Sequence, residues 1–238
     1  MYRRVEEDPS DGRRRALLAL LLLVPAPTVG VLCGMVIWPD TARGALVYGL
    51  SKVWILALPL LWRIGVERAP LSWSPRRRGG LAAGAVSGAA LGAIVIAAYF
   101  ALGPHFVDPA LFVRKLRAVG LGEPGRYLAG LAYWVTINAV LEEYVWRWFC
   151  TRQCEALMAR TPAILCSALL FTLHHIVALQ VYLGPLGTAL CAAGVFSGGA
   201  LWSALYLRYR SIWPGYVSHA IVDVAVFGIG ALLLFGGG

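Results

Sequence analysis

Residues 79–103 read GGLAAGAVSGAALGAIVIAAYFALG, 25 consecutive positions without a charged side chain. At about 1.5 Å of rise per residue, a helix of that length outreaches the roughly 30 Å hydrocarbon layer of a bilayer, which takes about 20 residues to cross. Runs of the same kind lie on both sides of it, at Ala16 to Trp38, Gly44 to Trp62, Tyr127 to Phe149, Thr161 to Leu183, Pro185 to Leu207 and Ile212 to Phe235. The 238 residues are 59% hydrophobic and only 14% charged, with a mean hydropathy of +0.71, a balance no soluble domain of this length holds. The pattern predicts an all-α, multi-pass transmembrane helical bundle of about seven spans. The first run is too long for the apolar stretch of a cleaved signal peptide, and no clear small-x-small site follows it. Within the quoted run, glycines 80, 84, 88 and 92 recur every fourth residue, a spacing that lets two helices approach closely.

The basic residues orient these spans. With the N-terminus inside, one set of loops holds Arg3, Arg4, Arg13 to Arg15, Arg63, Arg68, Arg76 to Arg78, Arg152, Arg160, Arg208 and Arg210, and the other holds Arg43, Arg114, Lys115, Arg117 and Arg126. That asymmetry, fourteen against five, predicts N-in and, with seven spans, C-out. The formal charge of +9 then reads as topology and contact with anionic lipid, and no nucleic acid is expected as a partner. Three divisions follow: a cytoplasmic tail over residues 1–15, transmembrane helices and loops over 16–126, and a transmembrane core over 127–238. Neither the tail nor the segment 104–126 is long enough to build a soluble core. Leu111 to Leu121 has apolar and basic residues at helical spacing and is expected to lie flat on the outer interface. The rich Ala, Gly, Leu and Arg content points to a GC-rich bacterium, hence its inner membrane.

The five cysteines suggest neither a disulfide nor a nucleophile: Cys150 and Cys154 lie near the cytoplasmic end of the fourth run, and Cys33, Cys166 and Cys191 lie in apolar runs. Trp38, Trp62, Trp148 and Trp213 fall at span ends and read as interfacial belts.

Polar residues inside apolar runs are costly and mark function. Here they are Lys52, Asn138, Glu142, Glu143, Arg147, His174, His175, Gln180, His219 and Asp223. His105, the fourth histidine, is assigned to a loop. On a helix, Glu143 and Arg147 form an i,i+4 pair with the acid on the favourable N-terminal side, while Glu142, rotated by about 100°, is left free. Asn138 shares the face of Glu142 and is placed to hold it. Alone, this triplet has two readings: an active carboxylate with its supporting pair, or an interfacial ion-pair cluster. The fourth helix is expected to continue past Phe149, with Thr161 capping the fifth and Pro162 in its first turn. A hairpin folded about residue 159 puts Glu142 opposite position 176, one residue from His175. Ser211 caps and Pro214 starts the last helix, on which His219 and Asp223 share a face. A carboxylate, two imidazoles and a second carboxylate thus meet in the cytoplasmic half of the membrane. Lys52 is read as pairing with a helix carbonyl or lining the cavity, and His174 and Gln180 as bonding between helices.

EEYVWR (Glu142, Glu143, Arg147), FTLHH (Phe171, His175) and HAIVD (His219, Asp223), in that order on successive membrane helices, resemble the three motifs of the CPBP family. That family includes the type II CAAX prenyl endopeptidases and the bacteriocin-processing and immunity membrane proteins. In pattern form the motifs are EExxxR, FxxxH and HxxxN/D. The resemblance covers about Tyr127 to Phe227 and makes 127–238 the catalytic core. It implies that Glu142 is the general base that activates water, with Glu143 and Arg147 as its supporting pair. It further implies that His175 binds or shares that water, and that His219 and residue 223 stabilise the oxyanion. Asp223 departs from the asparagine of many relatives, and must be protonated to donate, orient His219 or ligate a metal.

The activity implied is intramembrane hydrolysis of a peptide bond in a membrane-associated peptide or protein near the cytoplasmic face, with the bilayer as the other partner. A desolvated carboxylate suits a general base. Two histidines with two acids are also the donor set of a zinc site with water at the open position, for which His175, His219 and Asp223 would be the ligands. Since neither histidine pairs with another at i,i+4, a metal-free glutamate mechanism is preferred and no cofactor is expected. Two other functions compete: a non-catalytic immunity or scaffold protein of the same fold, and a proton-coupled transporter, which the lack of an inverted repeat disfavours.

Overall fold

The computed structural model describes residues 9–72, 74 and 79–236, so Arg3, Arg4 and Arg76 to Arg78 lie outside the described residues. Eight helices follow in chain order: α1 (Ser10–Ile37), α2 (Ala42–Val66), α3 (Leu81–Phe106), α4 (Pro109–Ala118), α5 (residues 124–157), α6 (Arg160–Gln180), α7 (Pro185–Tyr209) and α8 (Trp213–Phe235). Six of them, all but α4 and α5, are long and apolar enough to cross a membrane. The chain is a multi-pass helical membrane protein.

The α5 helix is the expected fourth span, and its own polar residues keep it out of that apolar set. It occupies the middle of the bundle instead, packed by α1, α2, α6, α7 and α8. Its turns widen to i→i+5 bonding over Trp134–Asn138 and Glu143–Thr151, the kind of local expansion that recurs at functional sites. Where lipid replaces water, large apolar side chains point outward, as Leu46, Ile94 and Leu169 do. Small hydroxyls fasten helix to helix inside: Thr151 of α5 bonds Ser167 of α6 at 2.8 Å and Ser203 of α7 at 3.3 Å.

Several local expectations are corrected. The first helix starts inside the segment read as a tail and carries Arg13 to Arg15 on its first turns. Ala159, not Thr161, occupies the cap position of α6, with no side-chain cap bond. Ser211 does accept from the Trp213 amide at 3.3 Å, although Ile212 is the cap residue. His105 belongs to the last turn of α3. The amphipathic stretch is α4, capped by Asp108, which accepts from the amides of Ala110 and Leu111. Trp62 and Trp148 are buried in the protein core, Trp62 edge-on to Phe149, and do not face the lipid interface. Cys150 and Cys154 are fully buried, which leaves packing as their role.

The basic loops gather at one end. Glu67 is paired with Arg63 at 2.7 Å and with Arg152 at 3.3 Å, Ser74 accepts from the Ile212 amide at 3.0 Å, and Glu155 meets Arg210 twice at 2.6 Å. The paired Arg210 guanidinium holds the Glu155 carboxyl below the usual carboxylate range. The first turns of α1 pack against the end of α5 at this same end.

The glycine ladder of α3 decides where α8 sits. A Cβ on Gly84 would stand 2.3 Å from the carbonyl oxygen of Pro214, and one on Gly88 would stand 2.8 Å from Ser218. The two helices run parallel in that close contact, and Ser87 bonds Ser218 at 3.2 Å, one residue from His219. Gly84→Val is therefore expected to lower the melting temperature of the detergent-purified protein by several degrees, from about 1–3 kcal/mol of overpacking at about 2–4 °C per kcal/mol. Gly49→Val, at a position with open space around it, should not. Equal melting curves for the two variants would contradict this packing.

Candidate active site

The antiparallel pairing of α5 and α6 brings the first two motifs together. Thr151 lies opposite Ser167 and Arg147 opposite Phe171, both pairs symmetric about residue 159, so the reflection that puts Glu142 opposite 176 holds. Glu143 and Arg147 are both fully buried, with Nε 3.4 Å from Oε1. That contact is an ion pair without hydrogen-bond alignment, and none of the three guanidinium nitrogens has a hydrogen-bond partner among the described residues. Aromatic faces cover the cation instead: Phe171 at 4.6 Å and Trp202 at 5.4 Å from the guanidinium carbon. A delocalised, weakly hydrated guanidinium suits such a slot better than an ammonium.

Glu143 has a second partner that helical spacing did not anticipate. Its Oε1 lies 3.2 Å from Nδ1 of His219, across 76 positions of chain. The approach depends on Gly215, where a Cβ would stand 2.3 Å from Oε2 of Glu143. Trp202 stacks on the His219 ring at 4.0 Å and 13°, and its indole N–H donates to Ser218 at 3.0 Å. The imidazole is thus fixed in plane by Trp202 and in rotation by Glu143. Its free Nε2 faces two acids, 3.8 Å from Oε2 of Glu142 and 3.8 Å from Oδ1 of Asp223. A spacing of that size between polar atoms is what a bridging water or substrate oxygen fills.

Glu142 is held as expected: Asn138 donates to its Oε1 at 2.9 Å. Lys52 lines the same cavity as this carboxylate. His175 gives Nδ1 to the carbonyl of Phe171 at 2.9 Å, with the two rings 4.5 Å apart. That bond directs the remaining nitrogen, Nε2, away from the backbone of its own helix. Phe171 thus serves two motifs at once, covering Arg147 and seating His175. Among the described residues His174 makes no hydrogen bond between helices: its buried Nδ1 has no partner there, and its ring stacks on Trp146 at 5.3 Å. Gln180 is exposed at the end of α6.

A cavity of about 210 Å³ opens beside Glu142, lined among others by Lys52, Asn138, Trp146 and His174. Trp202, Gly215, Ser218 and Trp146 are the residues sequence reasoning missed. Their only signals were a tryptophan in mid-span and a glycine one residue after a helix-starting proline. For zinc, His175, His219 and Asp223 do not form the required set. Among the described residues no group of three or more His, Cys, Asp or Glu side chains is placed to hold a metal ion.

Fold and site together define a helical membrane protein with a carboxylate–imidazole cluster buried among α5, α6 and α8. Residues 124–225 match the family model described as Type II CAAX prenyl endopeptidase Rce1-like. The matched segment, under half of the chain, runs from the start of α5 into α8 and contains every motif residue named above. This part of the chain is therefore similar to that family, the same resemblance that the sequence motifs carry. No curated protein and no solved structure matches the chain.

Removing the charge of Glu143 tests the division of labour between the two glutamates. Glu143→Gln would leave Arg147 as an uncompensated cation in the membrane interior, at a cost of about 3–5 kcal/mol. The expected outcome is a sharp fall in monodisperse protein after detergent extraction and in melting temperature. An unchanged melting temperature would show that the arginine does not depend on it.

Proposed function

We propose that the chain is an intramembrane endopeptidase that hydrolyses a peptide bond of a membrane-associated peptide or protein, using a water activated by Glu142. The observation that carries this reading is a chain of fixed contacts. Arg147 neutralises Glu143, Glu143 turns His219, and His219 presents Nε2 to a second carboxylate that is held by Asn138 at the wall of a cavity. Two adjacent glutamates thereby take different work, one neutralised and one available.

In the proposed reaction Glu142 takes a proton from water, and the hydroxide attacks the carbonyl carbon of the scissile peptide. His219, as imidazolium, donates Nδ1–H to Glu143 and Nε2–H to the developing oxyanion, and Asp223 in its acid form donates beside it. His175 directs Nε2 to the water. The C–N bond then breaks as Glu142 returns its proton to the leaving amine, which restores the carboxylate. Donors aimed at the oxyanion and a base aimed at the water are the two requirements of this chemistry.

The site lies on the cytoplasmic side of mid-membrane in this reading. His219 is six residues, about 9 Å of helix rise, past Trp213 at the start of α8. That helix begins at the end that collects the basic loops and the N-terminal helix. The positive-inside rule assigns this end to the cytoplasm, which makes the chain N-in, and a bacterial inner membrane fits the composition.

Glu142→Gln keeps the size of the side chain and removes the base. With a quenched-fluorescence peptide in detergent, its cleavage rate is expected to fall by at least about a hundredfold, the scale on which a general base contributes, with an unchanged melting temperature. Cleavage at the wild-type rate would overturn the assignment.

A further inference from the structure

Four of the five basic residues that the N-in reading leaves on the outer side fall between positions 114 and 126: Arg114, Lys115, Arg117 and Arg126. Positive charge is disfavoured on that side, so a cluster there calls for a reason of its own. Among the described residues none of the four side chains makes an ion pair or a hydrogen bond. The acids beside them do not neutralise them. Asp108 accepts from the amides of Ala110 and Leu111, and Glu123 stands exposed without an ion pair. At the opposite end of the bundle, by contrast, Glu67 and Glu155 are each paired with arginine.

Two of these cations share one fixed turn. The α4 helix ends in a Schellman motif: the Leu121 amide donates to the carbonyl of Leu116 at 2.9 Å and the Gly120 amide to that of Arg117 at 3.0 Å, with Gly120 left-handed at φ +82°. The chain then folds back over the stem of Arg117 so closely that a Cβ on Gly122 would stand 2.7 Å from its Cγ. Arg126 reaches the same turn, its Nη1 3.6 Å from where a Cβ on Gly120 would lie. Two anchors hold the arrangement. Phe112 of α4 rests against Tyr182 at 6.0 Å, and the buried Tyr127, next to Arg126, donates its hydroxyl to the carbonyl of Phe227 at 2.6 Å. Val119 and Leu128 are exposed beside the two arginines. In a membrane chain such side chains face lipid, which sets the guanidiniums at the depth of the headgroups.

We propose that Arg117 and Arg126, on the Gly120–Gly122 turn between α4 and α5, bind the phosphate of an anionic phospholipid headgroup. A guanidinium meets a phosphate with two parallel N–H donors, and Arg114 and Lys115 add to the positive field. The exposed apolar neighbours favour a lipid over a soluble anion, since acyl chains cover them while the headgroup is held. The bound lipid clamps the start of α5, the helix that carries Glu142 and Glu143. This site stands apart from the carboxylate–imidazole cluster and does not depend on the endopeptidase reading.

The test is native mass spectrometry of the detergent-purified chain, titrated with phosphatidylglycerol or phosphatidylcholine of the same acyl chains. Each cation near an anionic lipid strengthens binding about fivefold. Phosphatidylglycerol is therefore expected to bind at least about tenfold tighter than phosphatidylcholine. Arg117→Gln with Arg126→Gln should weaken phosphatidylglycerol by about tenfold or more and leave phosphatidylcholine unchanged, with the wild-type melting temperature in lipid-free detergent. Arg126→Gln alone, which leaves the stem of Arg117 packed under the turn, should weaken it about fivefold. Arg13→Gln with Arg14→Gln removes the same charge from the other end and should change the affinity by less than about twofold. Inorganic phosphate at millimolar concentration should not displace the lipid. Equal affinity of the wild type for the two lipids would overturn the proposal, as would an unchanged affinity after loss of both Arg117 and Arg126, or an equal loss in the Arg13 and Arg14 variant. Displacement by inorganic phosphate would overturn it too, by assigning the turn to a soluble anion.

Discussion

A guanidinium with no exposure to solvent sits at the centre of this membrane protein, and the architecture of the C-terminal half accommodates it. Arg147 cannot reach water from α5, so α6 supplies the face of Phe171, α7 supplies Trp202, and the adjacent turn of α5 supplies Glu143. Each of those neighbours has a further duty. Phe171 seats His175, Trp202 stacks on His219, and Glu143 bonds His219. The three motifs are spaced over some eighty residues of sequence, yet they are one contact network around one charge. A buried ion pair is weak as a source of net stability, but removal of one partner is severe.

The N-terminal half acts on this network from outside. The glycines of α3 let it run against the first turns of α8, which fixes the helix carrying His219 and Asp223. The α2 helix closes the cavity beside Glu142 and carries Lys52 into it. At the end with the basic loops, Glu67 ties α2 to α5, and Glu155 ties α5 to the turn after α7. These clasps hold the outer helices at the depth where the cavity forms.

Much of this was legible in the sequence, because membrane helices follow simple rules. Run length gave the spans, i,i+4 spacing gave Glu143–Arg147 and Asn138–Glu142, and a short turn allowed α6 to be reflected onto α5. The rest required long-range contact. No local pattern announces that Glu143 will bond His219 across 76 positions, since that depends on Gly215 having no side chain. Trp62 and Trp148 were read as interfacial from their place at run ends, but helix packing turned them inward. Cap positions shifted by a residue or two where Pro162 and Pro214 fit several registers. Lys52 is visible in the sequence as an intramembrane charge, and the cavity it lines appears only in the structure.

The central claim is that the buried pair exists to aim His219, beyond holding the helices together. A double replacement of both charges by apolar residues, Glu143→Leu with Arg147→Met, separates the two roles, since replacing a whole buried ion pair is often neutral or stabilising. The account predicts that this variant extracts and melts like the wild type but cleaves the reporter peptide at least about a hundredfold more slowly, because Nδ1 of His219 has lost its acceptor. A folded double variant with wild-type cleavage would contradict it.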